Sequence, residues 1–220
     1  MARLLFEKTG NAVWISHLDL RRLFQRAFKR AGLSLTHTQG YNPRPSVSIA
    51  LPLSVGVESY CELLDFELDG DEMPSCDEIR ERLNNSLVAG VRVVEVYEDG
   101  RKIRDLALLS CRVHLEYDAG IPEGCVGSIQ ALFSKETLFV PKKSKNGPIE
   151  QDIIPLIKDL SVSALDDNTA IIDAVICCQN PSLSPTQLPA AVEKYLPDMA
   201  PDFAKCCRVQ LMDAQRKTFR

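Results

Sequence analysis

Residues 16–32 read SHLDLRRLFQRAFKRAG, and this stretch decides the first half of the fold. The apolar side chains that fall in one arc at helical spacing are Leu20, Leu23, Phe24, Ala27, Phe28 and Ala31. Ser16 and Asp19 form an S-x-x-D capping pattern at the start, and Gly32 is suited to end the helix. The pattern therefore predicts an amphipathic helix that packs its apolar arc on a sheet.

Extended segments flank this helix. The predicted strands of this half cover residues 3–6, 47–51, 60–68 and 91–96, with strict apolar–polar alternation over residues 64–68. A second capping pattern, Ser75 with Glu78, begins another helix before the last of these strands. The order β-α-β-β-α-β is that of the split, ferredoxin-like motif.

The same pattern recurs after a charged link at residues 98–102. The predicted elements are strands at 106–117, 137–140, 169–178 and 206–211 and helices at 122–133 and from Ser184-Pro185 onward. Residues 142–148 are predicted to form a basic loop, and residues 149–165 fit either a strand or a short helix. We therefore expect an α+β protein of two tandem ferredoxin-like (βαββαβ) halves with antiparallel sheets. The expected boundaries are a domain at 1–98, a domain at 105–213 and a basic tail at 214–220.

The composition is that of a globular protein, and its charge is uneven. The 220 residues are 45% hydrophobic and 25% charged, with a net charge of −4. No apolar run approaches the ~18 residues that a membrane span needs, so we expect a cytoplasmic protein without a membrane partner. The net charge is +6 over residues 1–50 and −10 over residues 51–100. Such asymmetry permits a basic binding face on an acidic protein, although a mixture of solvated faces would give the same counts.

Eight cysteines are present, but their spacing matches no common metal site. No C-x-x-C pair and no C-x-x-x-C-x-x-C iron–sulfur triplet occurs. Cys111 and His114 are close in sequence, yet in a strand they would point to opposite faces. We expect reduced, buried thiols at 177, 178, 206 and 207, with no metal and no cofactor.

The outer arc of the first helix carries a group of cations. These are Arg22, Arg26, Lys29 and Arg30, with Arg21 at the flank. Cations so close together repel one another, and an anionic ligand such as a phosphate chain would relieve that repulsion. The alternative is a merely solvated outer face.

A second group of functional side chains lies in residues 36–46, which read THTQGYNPRPS. Two prolines restrict the backbone on either side of Arg44, so the side chains are presented with little entropy left to lose. The candidate RNA-binding side chains here are Gln39, Tyr41, Asn42 and Arg44. A base-stacking aromatic beside an arginine is typical of single-strand binding. The alternative is a structural loop with Tyr41 packed on the sheet.

Two histidines raise the alternative of catalysis. Metal-free RNA cleavage needs a base and an acid, which His17 with His37, or a histidine with Tyr41, would supply. Equally, His17 is placed to be a local hydrogen-bonding residue at a helix start. The sequence contains no Walker loop, G-x-G-x-x-G, G-x-S-x-G or H-E-x-x-H pattern, so nucleotide hydrolysis, dinucleotide redox chemistry and zinc proteolysis lack support.

Three segments carry a resemblance to a known family. Residues 15–20 (ISHLDL), 39–45 (QGYNPRP) and 51–59 (LPLSVGVES) resemble the radical SAM-linked proteins. That family is a domain of unknown function that occurs beside, or fused to, an uncharacterised radical SAM protein. The resemblance covers residues 1–100 best, and it implies a radical SAM enzyme as partner. A fold-level likeness also exists to the CRISPR repeat-processing endoribonucleases, but a shared fold does not confer an activity.

These observations lead to one expected function and two alternatives. We expect a non-catalytic accessory that binds RNA or ribonucleoprotein and presents it to a radical SAM partner. The first alternative is a metal-independent endoribonuclease of the tandem ferredoxin-like type. The second is a protein scaffold that docks an acidic surface on the basic helix.

Overall fold

A computed structural model of the chain describes residues 1–39, 41–70, 73–144 and 147–220. Gly40 of the predicted RNA-binding loop and Lys145 and Asn146 of the predicted basic loop lie outside these residues. The chain divides into unit 1, residues 1–103 with Arg220, and unit 2, residues 104–219. Both units combine antiparallel strands with helices, so the expected combination of helices and antiparallel sheets is confirmed at that level.

Unit 1 contains four strands and two α-helices among its described residues. They are β1 (Ala2–Lys8), α1 (His17–Arg30), β2 (Val47–Ile49), β3 (Glu58–Phe66), α2 (Cys76–Asn84) and β4 (Val91–Tyr97). The strand order is β4-β1-β3-β2, and each neighbouring pair is antiparallel. A short 3-10 helix, Gly10–Trp14, leads from β1 into α1.

The two helices of unit 1 begin where the capping patterns predict. The Asp19 backbone N–H donates to Ser16 Oγ at 3.2 Å, and the Glu78 N–H donates to Ser75 Oγ at 3.2 Å. The side chains that α1 buries are Leu20, Phe24, Ala27 and Phe28, which pack with residues of β1 and β3 in one core. Gly32 follows the helix in the left-handed region, at φ +68°.

Unit 2 contains six strands and two α-helices among its described residues. They are β5 (Leu106–Glu116), α3 (Cys125–Phe133), β6 (Phe139–Ser144), β7 (Gly147–Asp152), β8 (Ile157–Ala164), β9 (Thr169–Cys177), α4 (Gln187–Tyr195) and β10 (Phe203–Asp213). The order β10-β5-β9-β8 is antiparallel throughout. β6 and β7 pair only with each other, as a two-stranded hairpin.

This hairpin corrects the prediction for residues 137–165. The segment expected as a sheet strand is β6 of the hairpin, and residues 142–144, expected as loop, continue that strand. The strand that pairs with β9 on the side away from β5 is β8, which lies in the segment that the sequence left open between strand and helix. Pro155 does not interrupt β8 because it lies in a 3-10 turn, Ile154–Leu156, just before it.

Two further boundaries differ from the prediction. α4 begins at Gln187, two residues after Pro185, although the Gln187 side chain still accepts a hydrogen bond from the Ser184 N–H at 3.1 Å. Residues 214–219, expected as part of a basic tail, fold back on β10. The Phe219 N–H donates to Leu211 O at 2.8 Å, and the Phe219 side chain is buried.

All eight cysteines are free thiols. Cys178, Cys206 and Cys207 are buried as predicted, whereas Cys177 is half-buried. Burial raises the pKa of Cys111 and of Cys206 to about 12, so both thiols stay protonated at neutral pH. Within the described residues, no three His, Cys, Asp or Glu side chains group as metal ligands, and no helix is long and apolar enough to cross a membrane.

Gly90 provides a test of the packing in unit 1. Its φ is +84°, its carbonyl accepts the Thr9 N–H at 2.7 Å, and an added Cβ would lie 2.4 Å from Thr9 O. Gly90→Ala therefore combines left-handed strain with a backbone clash. At Gly32 an added Cβ would contact no other atom, so Gly32→Ala should cost only the strain of a left-handed backbone, about 1–2 kcal/mol of unfolding free energy. We expect chemical denaturation to show a clearly larger loss of unfolding free energy for Gly90→Ala. Equal losses would contradict this packing.

Candidate nucleic-acid interface

The predicted cations of α1 lie on its solvent side. Arg22, Arg26, Lys29 and Arg30 are exposed and Arg21 is half-buried, because the opposite side of the helix carries the buried apolar arc. The placement of these five residues on the helix thus agrees with the helical spacing. Their surroundings differ from one residue to the next.

Two of the exposed cations already have partners. Arg22 Nη1 lies 3.1 Å from Asp19 Oδ1, and Arg30 Nη2 donates to Ser86 O at 2.6 Å. The Ser16 hydroxyl and then Arg22 hold the pKa of Asp19 below its usual value, so this carboxylate stays charged. Arg26 and Lys29 make no hydrogen bond or ion pair within the part of the chain that the structure describes. These two side chains are the cations of α1 most available to an external anion.

The predicted RNA-binding loop is a protrusion on a short antiparallel stem. The Ser46 N–H donates to Thr36 O at 2.8 Å, and the Thr38 N–H donates to Arg44 O at 2.9 Å. The stem is anchored to the end of β3, since the Thr36 N–H donates to Glu67 O at 2.9 Å. This backbone ladder, together with β2, holds both ends of the loop against the sheet of unit 1.

The tip of the loop presents its side chains to solvent. Gln39, Asn42 and Arg44 are exposed, and Tyr41 is 100% exposed. The alternative in which Tyr41 packs on the sheet is therefore wrong. A tyrosine with no protein surface against its ring leaves both ring faces open to a stacking partner.

A groove connects the helix to the loop stem. It encloses about 360 Å³ and is lined by Gln25 and Lys29 from α1, the segment 32–35, His37 and Pro45. We call it the helix–loop groove. Lys29 of the helix and His37 of the loop stem therefore line one surface. A single anion-binding surface formed by the helix and the loop together requires such an arrangement. Sequence reasoning missed Gln25, although Gln25 precedes Lys29 by one helical turn and so shares its side of α1.

The two histidines lie at different places in unit 1. His17 is the first residue of α1, whereas His37 shares the groove with Gln25, eight residues further along the helix. Eight residues of α-helix span about 12 Å. The structure therefore does not assemble His17 and His37 as an acid–base pair.

His17 instead borders buried polar groups. Its Nδ1 and the Arg21 Nε are buried and have no hydrogen-bond partner among the described residues. Glu62 of β3 is buried at 2% exposure and acts electrostatically on His17. Burial, reinforced by the charge of Arg21 and opposed by that of Glu62, lowers the pKa of His17. The lowered pKa favours the neutral form of His17 and so reduces its contribution to the cationic surface.

The architecture and a family comparison define the class of this protein. The strands and helices define a mixed α/β protein with antiparallel sheets and four α-helices in its described residues. The chain belongs to the family described as "Uncharacterized protein conserved in bacteria" (DUF2344), whose model matches residues 2–185. No curated protein matches the chain.

The solved structures that match the chain include the following two. One is in the "Crystal Structure of a Cbf5-Nop10-Gar1 Complex", with a TM-score of 0.50, 8% identity and 96% of this chain covered. The match spans 48%, about half, of that chain, and at this identity it shows the fold alone. The other is an unknown protein from Galdieria sulphuraria, with a TM-score of 0.26, 10% identity and coverage of 94% of this chain and 97% of that one.

The environment of His17 generates a prediction for pH dependence. Because its folded-state pKa lies below the unfolded value of 6.5, protonation favours unfolding, and stability should fall as the pH drops below about 6.5 toward the folded pKa. We expect an NMR titration to give His17 a pKa below 6.5. Arg21→Gln should raise it, and Arg22→Gln, at an exposed neighbour, should leave it unchanged. A His17 pKa at or above 6.5 would refute this account.

Proposed function

We propose that this chain is a non-catalytic accessory protein that binds RNA or ribonucleoprotein through unit 1 and presents it to a radical SAM enzyme. One observation carries the RNA-binding part. Lys29, an exposed cation of α1, lines the same groove as His37 and Pro45, which belong to the stem of the loop that carries the fully exposed Tyr41. The partner enzyme is inferred only from the resemblance of residues 15–20, 39–45 and 51–59 to the radical SAM-linked proteins.

The charges favour a polyanionic ligand. Arg26 and Lys29 are three residues apart on a helix, which places their Cβ atoms about 5–6 Å apart. Like charges at this spacing destabilise the helix. Neither residue forms an ion pair with a carboxylate among the described residues, although the charge of Asp19 also acts on Arg26. Arg44 adds a third exposed cation at the loop. Phosphates that bind here would remove the repulsion and release counterions.

The loop favours a single-stranded ligand over a duplex or an acidic protein. Stacking on an aromatic side chain contributes about 1–3 kcal/mol per base in single-strand binding proteins. An unpaired base exposes the face that Tyr41 needs, whereas bases in a duplex are stacked on one another. An acidic protein surface would use the cations but would leave the Tyr41 ring unused. The exposed Tyr41 ring therefore favours RNA binding over a protein scaffold that docks an acidic surface on α1.

We also propose that each unit is a ferredoxin-like βαββαβ motif. The orders β4-β1-β3-β2 in unit 1 and β10-β5-β9-β8 in unit 2 support this assignment. In each unit, helices follow the first and third strands of the motif in the sequence. Unit 2 differs by the β6–β7 hairpin, which is inserted between α3 and β8.

Charge reversal tests the RNA-binding surface. Arg26→Glu with Arg44→Glu should weaken binding of fluorescent single-stranded RNA and lower the salt slope by about 1.4, since each lost phosphate contact removes about 0.7. The control with the same charge change is Arg92→Glu with Arg104→Glu, at exposed arginines that lie outside both α1 and the loop. Fluorescence anisotropy at several salt concentrations gives both quantities. Equal affinity in the two double variants would overturn the proposed surface.

Tyr41→Ala and Tyr41→Phe separate stacking from charge in the same assay. Tyr41→Ala should weaken binding at an unchanged salt slope, whereas Tyr41→Phe keeps a ring and should retain affinity. The RNA should stay intact in EDTA. Cutting that is lost in His17→Ala or His37→Ala would favour the endoribonuclease alternative instead.

The partner is tested separately by affinity capture. The tagged chain, expressed at native level in its own bacterium, should retain a radical SAM enzyme at low salt, identified by mass spectrometry. Capture should persist after ribonuclease treatment, because the partner is proposed to bind the protein itself. Recovery of RNA without any radical SAM enzyme would leave RNA binding standing and would refute the partnership.

A further inference from the structure

The helix–loop groove has the size and lining of a site for one flat ring. Its volume of about 360 Å³ lies at the small end of the range for small-molecule sites, about 300–1,000 Å³. Leu33 and Leu35 supply buried apolar lining, at 3% and 8% exposure. His37 and Pro45, which are cross-strand neighbours in the stem, contribute the two rings of the lining. An unstacked base can pack on such surfaces, whereas a duplex cannot enter.

Among the described residues, α1 contributes two polar side chains to this groove. Gln25 and Lys29 are one turn apart on the same side of the helix, so an amide and an ammonium group reach the same space. The amide both donates and accepts, while the ammonium group only donates. The amide thus fits either a donor or an acceptor, whereas the ammonium group favours an edge that offers two acceptors.

We infer that the groove holds one unstacked guanine base of the bound RNA, with Gln25 and Lys29 contacting its O6 and N7 edge. This inference rests on the proposed function, since it names the base that the same surface takes. Guanine presents two adjacent acceptors on this edge, which an amide N–H and an ammonium group satisfy together. Adenine offers N7 to the Lys29 ammonium group and its N6 amine to the Gln25 amide oxygen, so it lacks the second acceptor, O6, that guanine presents to a cation. Cytosine places an exocyclic amine on this edge, so a donor would face the Lys29 ammonium group. Uracil offers a single acceptor, O4, on the corresponding edge.

The experiment compares four RNA decamers that differ at one position. The probes are decauridylate and decauridylates with one central guanine, adenine or cytosine, each with a fluorescent end label. Anisotropy titrations should show the guanine decamer binding about tenfold more tightly than the others, the discrimination expected of one well-placed pair of hydrogen bonds. Tight binding of guanosine to the chain at high salt would add support, because it removes the phosphate contribution.

Variants of Gln25 identify the residue that reads the base. Gln25→Ala should abolish the guanine preference, so that the guanine decamer and decauridylate bind with equal affinity. Gln25→Glu should shift the preference toward cytosine, because a carboxylate accepts from the cytosine amine. Gln215→Ala, at an exposed glutamine of unit 2, is the matched control and should retain the guanine preference. Circular dichroism melts establish that each variant is folded.

The outcomes separate this inference from the proposed function. Equal binding of all four decamers, weakened by Arg26→Glu with Arg44→Glu, would leave RNA binding standing and overturn the guanine site. A guanine preference that survives Gln25→Ala would also overturn it. Absence of binding to every decamer would refute both the site and the RNA-binding function.

Discussion

The packing of α1 on the sheet of unit 1 is the constraint on which the candidate interface depends. The rings of Phe6 and Phe24 meet edge to face with centroids 4.7 Å apart, and those of Phe28 and Phe66 lie 4.9 Å apart. Phe24 and Phe28 are one turn apart on the same side of the helix. Two such contacts set the rotation of α1 about its axis, and that rotation turns Lys29 outward to the groove.

The segment 32–34 has a second organising role, because it lies between two grooves of opposite character. On one side it lines the helix–loop groove with Lys29 and His37. On the other it lines a groove with Asp69, Glu78 and Arg82, from the acidic part of the sequence. The carboxylates of Asp69 and Glu78 and the ammonium group of Lys29 thus line different grooves of one unit, with Glu78 paired to Arg82. A protein with a net charge of −4 can keep a local cationic surface in this way, and steering depends on that local field.

The elements that the sequence predicted best are those set by short-range chemistry. The starts of α1 and α2 follow from a serine whose hydroxyl accepts an N–H three residues later, which is a local interaction. β8 was left open because its pairing with β9 is what makes it a strand, and its side chains are only half-buried or exposed. The β6–β7 hairpin was missed for a related reason. A basic sequence over residues 142–144 is compatible with a loop, and only the partner strand makes it extended.

The sequence by itself determined which side of α1 is apolar, which side is cationic, and which residues begin two of the helices. These properties depend on the order of residues and on the helical repeat of 3.6. Only the tertiary structure decided which cations stay available and what they face. Arg30 is engaged by Ser86 O, 56 residues away, while Gln25 and Lys29 meet His37 and Pro45 across a groove. Such contacts join segments that are distant in sequence, so residue spacing along the chain carries no information about them.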